Sequence, residues 1–358
     1  MSGTSMDGLD CGLFKIYLNS EYKLKWSCLD FKTYTYSDAI RQMIIDTISN
    51  SSTNFSIINE VLGEVYTSFS TKFLNSRNID LISSHGQTIS HIDRESTLQV
   101  GNPKKLNEKF QVPIVSNVRK ADIEVGGNGA PLMPFLDWLF YKDTYSDVVT
   151  LNLGGMANLS FIPESGKRDN VLGFDTGPGM ALIDECCKHY YNETMDRDGV
   201  YANMGSVNKE ILHILMNHEY ILKKPPKSTG WHEFGSELFN NIIGTHPHIC
   251  PNDLIRTFCI FTAKSIAENL DKFINFSTYD NCLIISGGGV HHPVLIEDIH
   301  KYCKMKNIIL SDKVGIQSDM KESLLMAVLG VARIRKIPAN MPSVTGAKKN
   351  VILGDLIN

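Results

Sequence analysis

SGTSMDGLD, residues 2–10, sets two glycines, three hydroxyl side chains and two aspartates ahead of a β-rich run, LDCGLFKIYL. Glycines let main-chain N–H groups approach a phosphate with no Cβ in the way, and the hydroxyls of Thr4 and Ser5 add donors. Asp7 then stands where a metal ion or its bound water could be held. The same residues also suit an ordinary tight turn in which an aspartate bonds its own backbone. The turn by itself leaves both readings open, and the rest of the chain has to separate them.

Working outward, YKLKWSCLDFKTYTY looks like more strand, and residues 37–48 and 55–73 carry apolar residues at helical spacing, with Ile58, Leu62, Val65, Phe69 and Phe73 on one face. IDLISSHGQT reads as a buried strand emptying into a polar loop, and QVPIVSNV as another short strand, so this half alternates β and α. After the glycine-rich GGNGAP come an apolar helix, LMPFLDWLFYKD, and a hairpin, SDVVTLNLGGMANLSFI, folded about Gly154 and Gly155. A long helix over residues 252–276, a buried strand ending in Gly287, Gly288 and Gly289, a helix over 293–304, the strand NIILSD and a helix over 319–334 follow. Each half thus opens with two strands joined by a glycine turn, GTSMDG and LGGMAN. The division expected is an N-terminal lobe over 1–130, with the tail 345–358 packed back on it, and a C-terminal lobe over 131–344.

A chain of 358 residues, 42% hydrophobic, can bury two cores. A net charge of -4 with scattered lysines and arginines lacks the basic footprint of a nucleic-acid binder. No apolar run reaches the ~18 residues of a membrane span, and the first residues have no signal-peptide pattern. The eight cysteines form no C-x-x-C pair, so free thiols in a reducing compartment are expected. THPHIC alternates His246, His248 and Cys250, but without paired ligand spacing it reads as an exposed loop.

Neither a Walker A loop nor G-x-G-x-x-G occurs, PKST at 226–229 lacking upstream glycines, so any phosphate is bound by hairpin turns. GFDTGPGM puts Asp175 at a strand end before a proline–glycine turn, where a carboxylate can act as general base or merely anchor the turn.

GTSMDGLD, SSHGQT, GGNGAPLMP, NLGGMANLSF, FDTGPG, PPKSTG and SGGGV stand in the order seen in anhydro-N-acetylmuramic acid kinases, and the chain resembles that family over nearly its whole length. The resemblance implies two duplicated actin/hexokinase-like, ribonuclease H-like α/β lobes with an ATP and sugar cleft between them. It also implies an ATP- and Mg2+-dependent kinase that opens a 1,6-anhydro amino sugar with water and phosphorylates O6, in cell-wall recycling. Gly3, Thr4, Ser5, Met6, Asp7, Gly8, Leu9 and Asp10 match the first ATP loop, with Asp7 toward the metal. Gly154 and Gly155 match the second turn, and Gly287, Gly288 and Gly289 the adenosine side. Asp175 resembles the base that activates water for attack at C1, and Arg119 and Glu322 resemble residues that hold the sugar, an arginine fork suiting the lactyl carboxylate. Asp122, Asp184 and Asp198 fall in similar motifs but read equally as structural carboxylates.

Members of the family usually carry a strand before the first motif, whereas Met1 here is already at it. Met180 replaces a family asparagine, His292 stands where asparagine is common, and Trp231 to Gly235 depart from the usual arginine and glutamate; each change bears on recognition of the sugar. The expected setting is cytoplasmic, with a small amino sugar as partner, no nucleic acid, no membrane, and a homodimer left open. Two alternatives stay open: a kinase of another sugar on the same fold, and a non-catalytic sugar or nucleotide sensor.

Overall fold

The computed structural model describes residues 1–3, 6–49 and 55–358. The chain divides into two units, Met1–Phe140 with Asp319–Asn358, and Tyr141–Ser318. In chain order the strands are β1 (Gly8–Leu18), β2 (Leu24–Thr35), β3 (Ile82–Ser83), β4 (Gln87–Ile92), β5 (Ser96–Val100), β6 (Ile114–Ser116), β7 (Asp147–Leu153), β8 (Met156–Ile162), β9 (Leu172–Pro178), β10 (Asn281–Ser286), β11 (Asn307–Leu310) and β12 (Asp355–Ile357).

In Tyr141–Ser318 one five-stranded sheet has the order β11-β10-β7-β8-β9. β7, β8 and β9 form an antiparallel meander, and β10 and β11 run parallel to β7. Parallel neighbours need helical crossovers, which Pro251–Phe273 supplies before β10 and Pro293–Tyr302 before β11. Three antiparallel strands followed by two parallel ones is the ribonuclease H-like arrangement expected from the sequence. Val149, Leu151, Leu153, Leu283 and Ile285 are buried together with Ala263, Ile266 and Leu270 of the long helix. With about 1.5–3 kcal/mol for each large apolar side chain buried, this packing holds the helix more than its intrinsic propensity does.

The first unit distributes its strands over three small sheets, β1-β2, β12-β6-β3 and β4-β5. Its glycine turn was expected to join two strands. Instead it precedes β1, and β1 reaches β2 through residues 19–23. The other arm of the turn is Met1, whose N–H donates to Asp10 O at 2.7 Å while Asp10 N–H donates to Met1 O at 2.8 Å, the double exchange of an antiparallel pair. A cavity of about 590 Å³ is lined by residues 9–16 of β1 and by residues 79–84 around β3, which are not hydrogen-bonded neighbours. The core of this unit lies on the helix Phe55–Leu74, with Ile58, Leu62, Tyr66 and Phe73 buried against Leu9, Ile44, Val100 and Leu106.

The expected boundaries at 130 and 344 are corrected by two helices. Met133–Tyr141 lies almost wholly in the first unit, where Phe135 and Trp138 pack edge-on against Tyr22. Lys321–Ile334 also belongs there, tied by the buried ion pair of Lys321 Nζ with Asp137 Oδ1 at 2.7 Å. An apolar helix beside a glycine hinge gives no sign in sequence of which side it will cover, and the two residues of the ion pair stand about half the chain apart. No helix among the described residues is long and apolar enough to cross a membrane.

Candidate active site

In the sheet of Tyr141–Ser318 the strand order reverses between β7 and β10, and ligand sites of α/β sheets form outside the carboxyl ends at such a point. Both glycine elements of this unit sit there. Gly154 and Gly155 follow β7, and Gly287, Gly288 and Gly289 follow β10. They touch: a Cβ on Gly287, whose φ is +89°, would lie 2.5 Å from Asn152 Oδ1 and 2.7 Å from Leu153 O. Around Gly288 the same test meets nothing within 4 Å, which leaves room for a ligand's approach. The loop after β9 closes on the same turn, because Gly179 and Ala181 N–H donate to Gly155 O at 2.8 and 3.0 Å and Met180 N–H to Gly154 O at 2.9 Å. From the long helix, Thr262 Oγ1 holds Gly179 O at 2.9 Å and Asn269 Nδ2 holds Thr176 O at 3.1 Å.

These contacts give an expected outcome for a pair of variants. Gly287→Ala forces a side chain into a left-handed backbone and against Asn152, and should cost about 1–3 kcal/mol of stability. Gly288→Ala should leave thermal unfolding within about 0.5 kcal/mol of the parent. Any loss of ATP affinity in that second variant, read by calorimetry, then reports on the ligand's approach and not on the fold.

Asp175 lies within β9, opposite Asn158 of β8, rather than at the strand end expected, since pairing continues to Pro178. It is fixed from three directions. Thr229 N–H donates to its Oδ2 at 2.9 Å, its own N–H donates to Lys227 O at 3.2 Å, and the Tyr220 hydroxyl donates to its carbonyl at 2.9 Å. Lys227 and Thr229 both belong to PPKSTG, so two motifs far apart in sequence form one assembly. A half-buried carboxylate held this way can take a proton from a water molecule without swinging to meet it.

The first unit gathers the other expected residues. In the first motif, Met6 N–H returns to Gly3 O at 3.4 Å and Met6 has φ +54°, while Thr4 and Ser5 lie outside the described residues. Gly8 is obliged by β2, since a Cβ there would lie 2.5 Å from Tyr34 O. Leu9 is buried in the core, so its side chain serves the fold, and Asp10 Oδ1 accepts from Thr33 Oγ1 at 2.6 Å. Asp7 is exposed. Mg2+ keeps several waters and takes one or two carboxylates beside substrate phosphates, a role the exposed Asp7 fits without a preformed cluster of ligands. Among the described residues no group of three or more His, Cys, Asp or Glu side chains could hold a metal by itself.

Arg119 donates from Nε and Nη2 to His85 Nε2 at 3.2 and 3.1 Å and from Nη1 to Gly129 O at 3.1 Å. Its side-on fork is therefore engaged by His85, and a ligand carboxylate would meet its end-on edge, a narrower version of the clamp expected. His85 Nδ1–H donates to Gly86 O at 2.8 Å, which leaves Nε2 as acceptor. Burial, and then the Arg119 guanidinium, push its pKa down to about 3, so the ring stays neutral. Glu322 opens the helix Lys321–Ile334 and keeps solvent contact. The protein around its carboxyl group raises its pKa, with Asp10 and Asp7 adding to the effect and the Met1 ammonium and Arg119 opposing it.

The family model of anhydro-N-acetylmuramic acid kinase matches residues 1–358. The chain belongs to the anhydro-N-acetylmuramic acid kinase family. A protein of that name from Clostridioides difficile (strain 630) is 37% identical over 371 residues, covering 99% of this chain and 96% of that one. Another from Francisella tularensis subsp. novicida (strain U112) is 35% identical over 373 residues, covering 99% and 97%. Among solved structures, a ROK family glucokinase from Streptomyces griseus in complex with glucose and AMPPNP aligns with a TM-score of 0.40 at 10% identity, over 90% of this chain and 99% of that one.

Two of the departures from the family pattern prove structural. His292 is buried, caps the helix Pro293–Tyr302 by accepting Leu295 N–H at Nδ1, and donates from Nε2 to Asp196 Oδ2 at 3.2 Å. It fills the N-cap role that asparagine also fills, and the proline at the next position is the signal that could have shown it. Met180 turns inward to both cores of its unit, and its sulfur would lie 3.3 Å from a Cβ on Gly289. Trp231 differs: it is 53% exposed, with its ring edge 3.2 Å from a Cβ placed on Gly155.

The carboxylates left open divide as well. Asp122 is fully buried, accepting from Gly129 N–H, Asn340 Nδ2 and Thr345 Oγ1 at 2.8, 2.8 and 2.9 Å. Asp198 is exposed, and its neighbour Asp196, which sequence reading passed over, takes the buried role through Tyr201 and Ala202 N–H at 2.9 Å each. Asp184 has its pKa pushed up to about 7 by burial and then by Asp196.

Proposed function

We propose that the protein is a phosphotransferase converting 1,6-anhydro-N-acetylmuramic acid, ATP and water to N-acetylmuramic acid 6-phosphate and ADP, the activity named for its family. The observation that carries this reading is Asp175, held by Thr229 and Lys227 in the strand whose following loop closes on Gly154 and Gly155. Asp175 takes one proton from water as the water oxygen bonds to C1. The C1–O6 bond breaks, O6 bonds to the γ-phosphorus, and the bond from that phosphorus to the β-phosphate bridging oxygen breaks to release ADP. Gly154, Gly155, Gly287, Gly288 and Gly289 meet the nucleotide with backbone N–H groups, as do the residues of the first turn. Asp7 would help to hold Mg2+ with the triphosphate, and the chemistry the ion would supply there is neutralisation of charge developing on the phosphoryl oxygens. Arg119 and Glu322 hold the sugar, the former toward its lactyl carboxylate. The setting is the cytoplasm, where ATP is supplied, and a homodimer is the assembly to test.

Arg119→Lys removes the planar fork but keeps the charge. It is expected to raise KM for the sugar about 10- to 100-fold, the loss of one or two charge-assisted hydrogen bonds, with KM for ATP little changed. Steady-state ADP release with each substrate varied in turn checks this.

Exposed Trp231 is the observation that favours a second reading, a different sugar on the same machinery. A panel of hexoses, amino sugars and anhydro sugars decides between them. A plain sugar phosphorylated with far higher kcat/KM than the anhydro sugar would replace the first substrate, and binding without turnover of any sugar would leave a sensor.

A further inference from the structure

Lys227 is 6% exposed. Its Nζ donates to the carbonyl oxygens of Tyr220 and Ile221 at 3.1 and 3.3 Å. The rings of Tyr220, Phe273 and Phe174 surround it, with centroids at 4.8, 5.2 and 5.9 Å. Its direct partners among the described residues are thus carbonyls and aromatic faces, not a carboxylate. Burying an ammonium group on such terms is unfavourable. Burial, and after it the charge of Lys223, push its pKa down to about 8, Asp175 and Glu233 pulling upward and Lys272 adding to the fall.

A well-packed apolar side chain would fill this space at lower cost, so packing alone does not account for a lysine. Its backbone supplies the other half of the case. Lys227 O accepts the Asp175 N–H, and Thr229, two residues on, places its N–H on Asp175 Oδ2. The Tyr220 carbonyl that anchors the ammonium belongs to the residue whose hydroxyl bonds Asp175 O. The ammonium therefore ties together both segments that grip the aspartate.

We propose that Lys227 is a positioning residue for the reaction: its ammonium locks the loop of residues 226–229 onto the helix Glu219–Leu222, keeping the Thr229 N–H on Asp175 and adding positive charge to the carboxylate's surroundings. This rests on the reading of Asp175 as the base. The groups facing Lys227 are Lys223 and Tyr220 from the preceding segment, Asp175 from β9, Lys272 from the long helix and Glu233 from the helix Trp231–Phe234.

Lys227→Met and Lys227→Arg, in the full-length protein with Mg-ATP and the anhydro sugar, test the proposal. Lys227→Met should melt at or above the parent temperature, because an apolar chain replaces a buried charge, while kcat falls about 10- to 100-fold and KM for ATP stays within about twofold. The acid limb of its kcat profile should move to higher pH, since a neighbouring positive charge is gone. In the parent, activity should decline as pH rises through about 8, where Lys227 loses its proton. Lys227→Met should lack that alkaline limb, and Lys227→Arg, always charged, should recover part of kcat and carry the limb to higher pH. A Lys227→Met enzyme with parental kcat and pH profile would overturn the proposal, as would a loss of kcat matched by an equal loss of folded protein. If Lys227→Met does not fold, an alkaline limb in Lys227→Arg unchanged from the parent does the same. Should Asp175→Asn keep turnover, the base assignment and this role fall together; should it be inactive while Lys227→Met is normal, only the positioning role falls.

Discussion

Asp175→Asn is expected to lower kcat by about 100- to 10,000-fold, the usual contribution of a general base, while leaving KM for ATP within about twofold. The asparagine retains a side-chain oxygen to accept the Thr229 N–H that holds Oδ2 at 2.9 Å, so the loop of residues 226–229 keeps its place. What it lacks is the capacity to take a proton. Coupled measurement of ADP release, with nucleotide affinity taken separately by calorimetry, distinguishes lost chemistry from lost binding. A variant that keeps more than about a tenth of parental turnover would move the base to another residue.

The largest expected effect on stability lies in the other unit. Asp122→Ala leaves the Gly129 N–H, Asn340 Nδ2 and Thr345 Oγ1 without the buried carboxylate that they share. Removing one member of a buried charged network typically costs about 3–5 kcal/mol, and a fall of about 10 °C in melting temperature follows for a unit of this size. The damage should reach the sugar as well. Gly129 donates to Asp122 and accepts from Arg119, so the loop carrying Gly129 is what relates the two. Thermal unfolding together with KM for the sugar checks the prediction; a variant as stable as the parent would show that Asn340 and Thr345 find other partners.

Sequence carried the parts of this protein that depend on local pattern. Glycine clusters between alternating apolar runs located the hairpin at Gly154 and the strand end at Gly287, and at Gly287 the neighbouring backbone leaves no room for a Cβ. Helical spacing located Phe55–Leu74 and the long helix to within a few residues at their ends. The hairpin of β4 and β5 went unseen, since QTISHI and STLQV are short and polar and gain their pairing only from each other.

At the site, Asp175 was legible as a carboxylate before a proline–glycine turn, but its partners were not. Lys227 and Thr229 lie more than fifty positions away, and nothing in PPKSTG says which strand it will meet. His85 was passed over for the same reason, its role as acceptor for Arg119 existing only once β3 and β6 lie side by side. His292 was expected to bear on recognition of the sugar because it stands where asparagine is common, whereas its position before a helix-opening proline makes it a cap.

The proposed reaction depends on water, activated by Asp175, attacking C1 as O6 takes the phosphoryl group. The most direct measurement runs the reaction in heavy-oxygen water, stops it within the first turnovers, and analyses the sugar phosphate by mass spectrometry and carbon NMR. Preformed unlabelled product incubated in parallel corrects for exchange at the anomeric carbon. One heavy oxygen at C1 and none in the phosphate is the predicted result. Product unlabelled at C1, or carrying the label in its phosphoryl group, would contradict it.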